Sequence, residues 1–225
     1  MKKHFLCVAG VLIGLLAFGG CASSGGLGSF ASNTKRGPIA VPYTSVNSYY
    51  GFAQPGAAPD AVVEGRNTWF IYVWIPAVAP ELGVRMISPV PSGASPKEGD
   101  FVSSLFDANK DSAAFFDTYI TFERANGVID PENIAGAASA NWVRLESNDD
   151  SGEMPKNPNG SRYNSLLRVD DPTQLLRGLY RVGFTTYKRG AVEGTFLAQV
   201  GSPIAIPGVV IGTDLQEVSA QVSQQ

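Results

Sequence analysis

Apolar residues recur along the chain in short runs, and most of these runs have the spacing of β-strands. The clearest is TWFIYVWIP at 68–76, which is rich in aromatic and β-branched residues and apolar at nearly every position. It predicts a strand that is covered on both faces. Stretches rich in glycine and proline, such as QPGAAPD and KRGAVEG, separate the runs. The other predicted strands are 46–52, 83–88, 117–124, 142–146, 166–169, 178–186, 194–200 and 204–210.

This pattern predicts an all-β fold, an antiparallel jelly-roll β-sandwich with a few short peripheral helices. Asp130 followed by Pro131 has the composition of a helix start and predicts a helix over 130–140. A second short helix is predicted from Asp214, and residues 101–109 are a third candidate. Helices are therefore expected to be minor elements.

The first twenty residues have the pattern of a secretory signal peptide. A basic head with Lys2 and Lys3 precedes an uncharged apolar run at 5–18, and small residues lead to Cys21. The run is shorter than the roughly 20 residues that a membrane-spanning helix needs. Cleavage before Cys21 predicts a lipidated N-terminal cysteine that attaches the protein to a membrane. Ordinary secretion, with a free thiol at the N-terminus, is the alternative.

Composition divides the rest of the chain into two parts. Residues 21–42 are small and rich in glycine and serine, which predicts a lipidated flexible tether. Residues 43–225 contain no second linker and no repeat, and predict one β-sandwich domain. Ala22 stands where an aspartate would retain a lipoprotein in the inner membrane, so the outer membrane is the expected location, with the domain at the cell surface. The sequence leaves open whether the domain forms a homo-oligomer.

The inventory of reactive side chains excludes several kinds of site. His4 and Cys7 leave with the signal peptide, Cys21 carries the lipid, and the chain has no further histidine or cysteine. A disulfide, a cysteine nucleophile, a Ser-His-Asp triad and a Cys/His zinc site are therefore excluded. Removal of Lys2 and Lys3 leaves 15 basic residues against 20 acidic ones, a net charge near −5, so nucleic acid is not an expected partner. The remaining oxygen donors suit calcium or magnesium.

Three stretches are candidates for chemistry on their residues alone. Asp149 and Asp150 are adjacent carboxylates in SNDDSGEMPKNPNG, where either solvent screens them on a loose loop or a cation lies between them. DANKDSAAFFDT begins like an EF-hand loop, but it has Ser112 where glycine is needed and Thr118 where glutamate should close the site. The aromatic residues of VNSYYGF could form a sugar-binding face, although a position in the core is the more common use of such residues.

Longer segments of the chain carry a resemblance to a known family. SYYGFAQPGAAPDAVVEG, YVWIPAVAPELGVRMISP, FFDTY, RYNSLLRV and LLRGLYRVGFTTYKRGAVEGTFLAQVG resemble, in this order, segments of the abundant calcium-binding surface lipoprotein of pathogenic leptospires. The similarity runs from about residue 43 to residue 208. It implies a jelly-roll that binds one calcium ion through an Asp-Thr pair, two aspartates of an acidic loop and a tyrosine. The matching positions here are Asp117, Thr118, Asp149, Asp150 and Tyr163.

The resemblance also implies a function. It predicts a non-enzymatic surface protein, anchored by the lipid on Cys21, that binds extracellular matrix proteins such as collagen, fibronectin or laminin. Two features depart from the family: the acidic loop has fewer aspartates, and the short uncharged tail SAQVSQQ replaces a long charged helix. The alternative is a calcium-stabilised glycan-binding module that uses Tyr49, Tyr50 or Trp69. A carboxylate-dependent glycosidase is a third class, but no acid and nucleophile pair is marked in the sequence.

Overall fold

Long β-strands form most of the structure, a computed structural model that describes residues 26–149 and 163–225. The strands are β1 (Ala31–Arg36), β2 (Ile39–Pro42), β3 (Ser45–Ala53), β4 (Ala61–Val63), β5 (Arg66–Val78), β6 (Leu82–Ile87), β7 (Phe101–Val102), β8 (Thr118–Ala125), β9 (Trp142–Asn148), β10 (Asn164–Val169), β11 (Leu176–Thr186), β12 (Gly194–Ser202) and β13 (Val210–Gly212). The helices are α1 (Phe106–Asn109) and α2 (Leu215–Val222). Short 3-10 turns lie at Leu27–Ser29, Pro131–Asn133 and Ala137–Ser139.

Two main sheets organise these strands. The five-stranded sheet has the order β10-β6-β12-β3-β7, in which β7 runs parallel to β3 and the other neighbours are antiparallel. The six-stranded sheet has the order β13-β5-β11-β8-β9, with β4 paired to β5, and all its pairs are antiparallel. The all-β sandwich predicted from the sequence is confirmed.

The main core lies between these two sheets. Alternate side chains of β5, among them Ile71, Val73 and Ile75, are fully buried there against residues of β12 such as Phe196 and Val200. Phe196 lies opposite Gly51 in the pairing of β12 with β3, and its ring contacts Tyr49 and Trp69. This packing of apolar side chains from both inner faces is the main source of stability in a sandwich.

The outer face of the six-stranded sheet is covered as well, as the apolar pattern of β5 predicts. Trp74 packs in a second buried cluster with α2 and with the two 3-10 turns that follow β8. Helix α2 begins at Asp214, whose carboxylate accepts the backbone N–H groups of Gln216 and Glu217. Further along β5, the Arg181 guanidinium lies 4.3 Å from the ring centroid of Phe70 and covers it.

The segment before the sandwich is folded where the structure describes it, which corrects the predicted tether over 21–42. Residues 27–42 form a 3-10 turn and the hairpin of β1 and β2, and Leu27 is fully buried with Tyr43 and Leu166. The reason is tertiary: Leu27 finds an apolar site on the outer face of the five-stranded sheet, and Glu81 binds the hairpin through hydrogen bonds. Residues 1–25, including the signal peptide and Cys21, lie outside the described residues.

Three predicted elements differ in detail. The strand predicted at 204–210 is wrong for most of its length, because Pro207 and Gly208, the latter with φ of 76°, form a turn and pairing begins only at Val210. The helix predicted at 130–140 is two separate 3-10 turns with Gly136 between them. The segment 101–109 starts as strand β7 and becomes helical only at Phe106. Among the described residues, no helix combines the length and the hydrophobicity needed to cross a bilayer.

Candidate metal centre

The predicted acidic ligands of the six-stranded sheet lie at one end of two neighbouring strands. Strand β8 begins at Thr118 and β9 ends at Asn148, and the two strands are antiparallel with Ile120 opposite Asn148. Asp117 therefore precedes β8 at the same end of the sheet where Asp149 follows β9. We call this end of the strands the edge. Both aspartates are half-buried, and Thr118 is fully buried.

Tyr163 reaches the same edge from the other sheet. It immediately precedes β10, which pairs with β6 so that Asn164 lies opposite Ile87. The Tyr163 carbonyl oxygen accepts the backbone N–H of Ser88 at 3.2 Å. A carbonyl oxygen has two lone pairs, so acceptance of one N–H does not by itself exclude coordination of a cation.

Ser165 joins the two sheets at this edge. Its Oγ lies 2.7 Å from Thr118 Oγ1 and 3.1 Å from the Thr118 carbonyl oxygen, and it also contacts the carbonyl oxygen of Asp149. Ser165 is fully buried. The structure thus brings Asp117, Thr118 and Asp149 from one sheet together with Tyr163 from the other, through a residue that sequence reasoning passed over.

Ser88 organises the other side of the same edge. Its Oγ accepts the backbone N–H of Phe116 at 3.1 Å and donates to the carbonyl oxygen of Thr195 at 2.8 Å. The residue that follows Phe116 is Asp117, whose own carbonyl accepts the N–H of Tyr187 at 3.1 Å. These bonds hold the backbone around Asp117 between β6, β11 and β12.

The donors gathered here are all oxygen atoms, in carboxylates, hydroxyls and carbonyls, and hard oxygen ligands of this kind fit calcium. The described residues contain no group of three or more histidine, cysteine, aspartate or glutamate side chains that could hold a metal ion. Asp150, the third predicted carboxylate, lies outside the described residues. Asp117, Thr118, Asp149 and Tyr163 thus supply oxygen atoms of the kind that calcium binds, but they do not include three acidic side chains.

Sequence reasoning missed Ser88 and Ser165 for different reasons. Ser165 lies two residues after Tyr163 in RYNSL, so the sequence predicted a ligand in this segment but not a role for Ser165. Nothing in the sequence marks Ser88, because its three partners come from segments distant in the chain. Buried hydroxyls of this kind become visible only when the strands are assembled.

The same edge carries an open cavity of about 490 Å³. The lining comes from the segment before β8, from Tyr163, and from the end of β11 with the segment that connects it to β12 in the other sheet. The lining residues are Ala114, Phe115, Phe116, Asp117, Tyr163, Thr186, Lys188, Val192 and Glu193.

The aromatic residues considered as a sugar-binding face are buried. Tyr49, Tyr50 and Trp69 have exposed fractions of 8%, 5% and 6%. Burial raises the pKa of the Tyr49 phenol, as expected for a side chain that is held in the core. The core role predicted for the tyrosines of VNSYYGF is confirmed, and these three rings present no face to a ligand.

Comparison with known protein families identifies one match. Residues 37–211 match Lipl32, described as a surface lipoprotein of the Spirochaetales order. The matched range covers most of the chain and includes both main sheets and the candidate metal centre. No curated protein matches the chain. The chain therefore belongs to the Lipl32 family of surface lipoproteins of the Spirochaetales.

Proposed function

We propose that this surface lipoprotein binds one calcium ion at the edge formed by β8, β9 and β10, and that it acts as a non-enzymatic ligand-binding protein outside the cell. The observation that carries the proposal is the set of contacts made by Ser165. This residue lies in β10, two positions after Tyr163, and it contacts Thr118 and Asp149 of the other sheet. Asp117, Thr118, Asp149, Asp150 and Tyr163 are the proposed ligands.

The role of the ion follows from the charges at this edge. Adjacent carboxylates at Asp149 and Asp150 repel each other, and a bound divalent cation supplies the positive charge that offsets the repulsion. The proposed ligands lie before β8, after β9 and before β10. A bound calcium ion would therefore link segments of both sheets. We expect the result to be a more stable edge with a defined loop surface.

The anchor and the ligand complete the proposal. The lipid on Cys21 holds the protein in the outer membrane, and the sandwich faces outward. The ligands are matrix proteins such as collagen, fibronectin or laminin. Binding of the purified domain to these proteins, immobilised, is expected in calcium; an absence of binding to all three, in calcium and in chelator alike, would contradict the adhesive role.

Calorimetric titration of calcium into the chain from Ala22 onward tests the metal site. We expect saturable binding at one site and, at about 100 times the Kd, a stabilisation of about 2.7 kcal/mol. For a domain of this size that corresponds to a rise in Tm of about 5–10 °C. The double variant Asp149→Ala, Asp150→Ala should lose both the heat of binding and the rise in Tm.

The chain offers a matched control in Asp170 and Asp171, a second adjacent pair of aspartates, both exposed and at the other end of β10. Their replacement by alanine should leave calcium binding unchanged. Absence of binding to the wild-type chain, or equal loss in both double variants, would show that Asp149 and Asp150 form no calcium site.

Ser165→Ala tests the contact that joins the two sheets. Loss of the buried hydroxyl removes the partner of Thr118 Oγ1, and we expect the free energy of unfolding to fall by about 1–3 kcal/mol. Calcium affinity should fall about 10-fold or more, because residues that position metal ligands have effects of that size. The measurements are thermal melts and calcium calorimetry.

Ser202→Ala is the control. Ser202 is also buried, but it is the last residue of β12, whereas the candidate site lies near the first residues of that strand; its hydroxyl donates to the Ile204 carbonyl. It should cost stability without changing calcium affinity. If both variants bind calcium as the wild-type does, Ser165 has no part in the metal site.

A further inference from the structure

The cavity beside Asp117 has the properties of a preformed binding site. Its volume of about 490 Å³ lies within the range of about 300–1,000 Å³ that is usual for small-molecule sites. Gly194 closely approaches the segment that carries Phe115: a Cβ at Gly194 would lie 2.5 Å from the Ala114 carbonyl oxygen and 2.8 Å from Phe115 Cα. Gly194 also has φ of 146°, a conformation that favours glycine. The backbone of the segment that carries Phe115 therefore packs directly against the first residue of β12.

One wall of the cavity is aromatic. The Phe115 side chain is 43% exposed, and its ring lies against that of Tyr163, with centroids 5.4 Å apart and planes at 32°. The neighbouring Phe116 is buried against Phe196, so the backbone that carries Phe115 is attached to the main core. An exposed ring supported in this way offers an apolar flat surface to a ligand.

The segment between β11 and β12 contributes polar groups of both hydrogen-bonding kinds to the lining. Lys188 supplies N–H donors and Glu193 supplies carboxylate acceptors, and both side chains are exposed. Within the described part of the chain, neither forms an ion pair. Thr186 of the same lining is fully buried, and its hydroxyl accepts the backbone N–H of Lys188 at 3.3 Å. Donors and acceptors therefore line the same cavity as the exposed ring of Phe115.

From this arrangement we infer that the cavity binds an uncharged sugar ring, stacked on Phe115 and hydrogen-bonded by Lys188 and Glu193. A pyranose has an apolar face of C–H groups and an edge of hydroxyls that both donate and accept, which matches the exposed ring and the polar groups of the lining. An anionic ligand is disfavoured because the Glu193 carboxylate would repel it and would find no donor on it. A purely apolar ligand would bury Lys188 and Glu193 without partners. The inference gives a ligand class to the ligand-binding function proposed above, and it rests on that function.

Saturation-transfer NMR tests this inference on the full chain, purified in a detergent without sugar headgroups and in the presence of calcium. The probes are the methyl glycosides of glucose, galactose, mannose and N-acetylglucosamine, with methyl glucuronide as the anionic counterpart. We expect saturation of ring protons in at least one neutral glycoside and about 10-fold weaker binding of the glucuronide, a difference of about 1.4 kcal/mol.

Two variants should each weaken neutral-glycoside binding about 10-fold: Phe115→Ala removes the wall and Glu193→Gln removes the charged acceptor. Both positions are exposed, so both variants should fold, and thermal melts check this. The controls are Val102→Ala and Arg189→Gln, an exposed apolar residue and an exposed cation that do not line the cavity; each should bind as the wild-type does.

Calorimetry on the same samples separates this inference from the calcium proposal. Calcium binding without saturation of any neutral glycoside would overturn the sugar site and leave the calcium site standing. Glycoside binding that is unchanged in Phe115→Ala would also overturn it, as would tighter binding of the glucuronide. Sugar binding that depends on Phe115 in a chain that binds no calcium would support the sugar site and overturn the calcium proposal alone.

Discussion

Replacement of Phe196 with alanine is expected to lower the free energy of unfolding by about 3–5 kcal/mol, measured by denaturant unfolding. The side chain is fully buried in the main core, where its ring centroid lies 5.3 Å from that of Trp69 and 6.0 Å from that of Phe116. A cavity in this position would remove contacts on several sides of the sandwich at once. Because Phe116 directly precedes Asp117, the proposed calcium site should be weakened as well.

Gly51 provides an internal check of this prediction. A Cβ at Gly51 would lie 2.2 Å from Phe196 Cζ, so the ring occupies the space that a side chain at Gly51 would need. Gly51→Ala alone should cost about 1–3 kcal/mol by overpacking, but much less when Phe196 is alanine. Additive effects in the double variant would contradict the packing described here. Val62→Ala, at a residue that is 65% exposed, is the control and should change stability by less than about 0.5 kcal/mol.

Glu81→Gln is expected to release the N-terminal hairpin from the sandwich. One carboxylate oxygen accepts the N–H of Asn33 at 3.0 Å and the hydroxyl of Tyr43 at 2.5 Å; the other accepts the N–H and the hydroxyl of Thr34 at 2.8 and 2.9 Å. Burial and the Glu81 carboxylate raise the pKa of the Tyr43 phenol, so the phenol remains a donor at neutral pH. Glutamine has the same shape but turns one acceptor into a donor.

The donors that lose their partner lie in buried or part-buried hydrogen bonds, and their loss should cost about 2–4 kcal/mol, expressed as local opening of the hairpin. Hydrogen exchange at the amides of Asn33 and Thr34 should accelerate by about 30-fold or more, because 2 kcal/mol corresponds to that factor. Glu98→Gln, at an exposed carboxylate, should leave exchange unchanged. Unchanged protection in Glu81→Gln would show that Leu27 and the strand pairing hold the hairpin without the carboxylate.

Much of the sandwich could be predicted from local patterns. The apolar run at 68–76 lies within β5, and the pattern of burial on both faces follows directly from its composition. The strands at 46–52, 117–124 and 194–200 lie almost entirely within β3, β8 and β12. These predictions succeed because the alternation of apolar and polar residues and the content of β-branched residues reflect which faces of a single strand are buried. The failed strand at 204–210 was apolar enough, but Pro207 and Gly208 set its backbone instead.

The candidate site was predicted through the resemblance of whole segments to a family. The adjacent carboxylates at Asp149 and Asp150 were noticed from the sequence, but their spacing could not show that they lie near Asp117 or Tyr163. The structure places Asp117, Asp149 and Tyr163 at one edge because β8 pairs with β9 and because β10 meets them from the other sheet.

By itself, the sequence determined the all-β class, most strand positions and the family. The tertiary structure alone decided which residues meet: Ser165 with Thr118, Glu81 with the N-terminal hairpin, the Phe196 ring over Gly51, and Phe115 in one cavity with Lys188 and Glu193. The physical reason is that local sequence sets the conformation of each strand, whereas contacts between residues far apart in the chain depend on strand order, register and the packing of the two sheets.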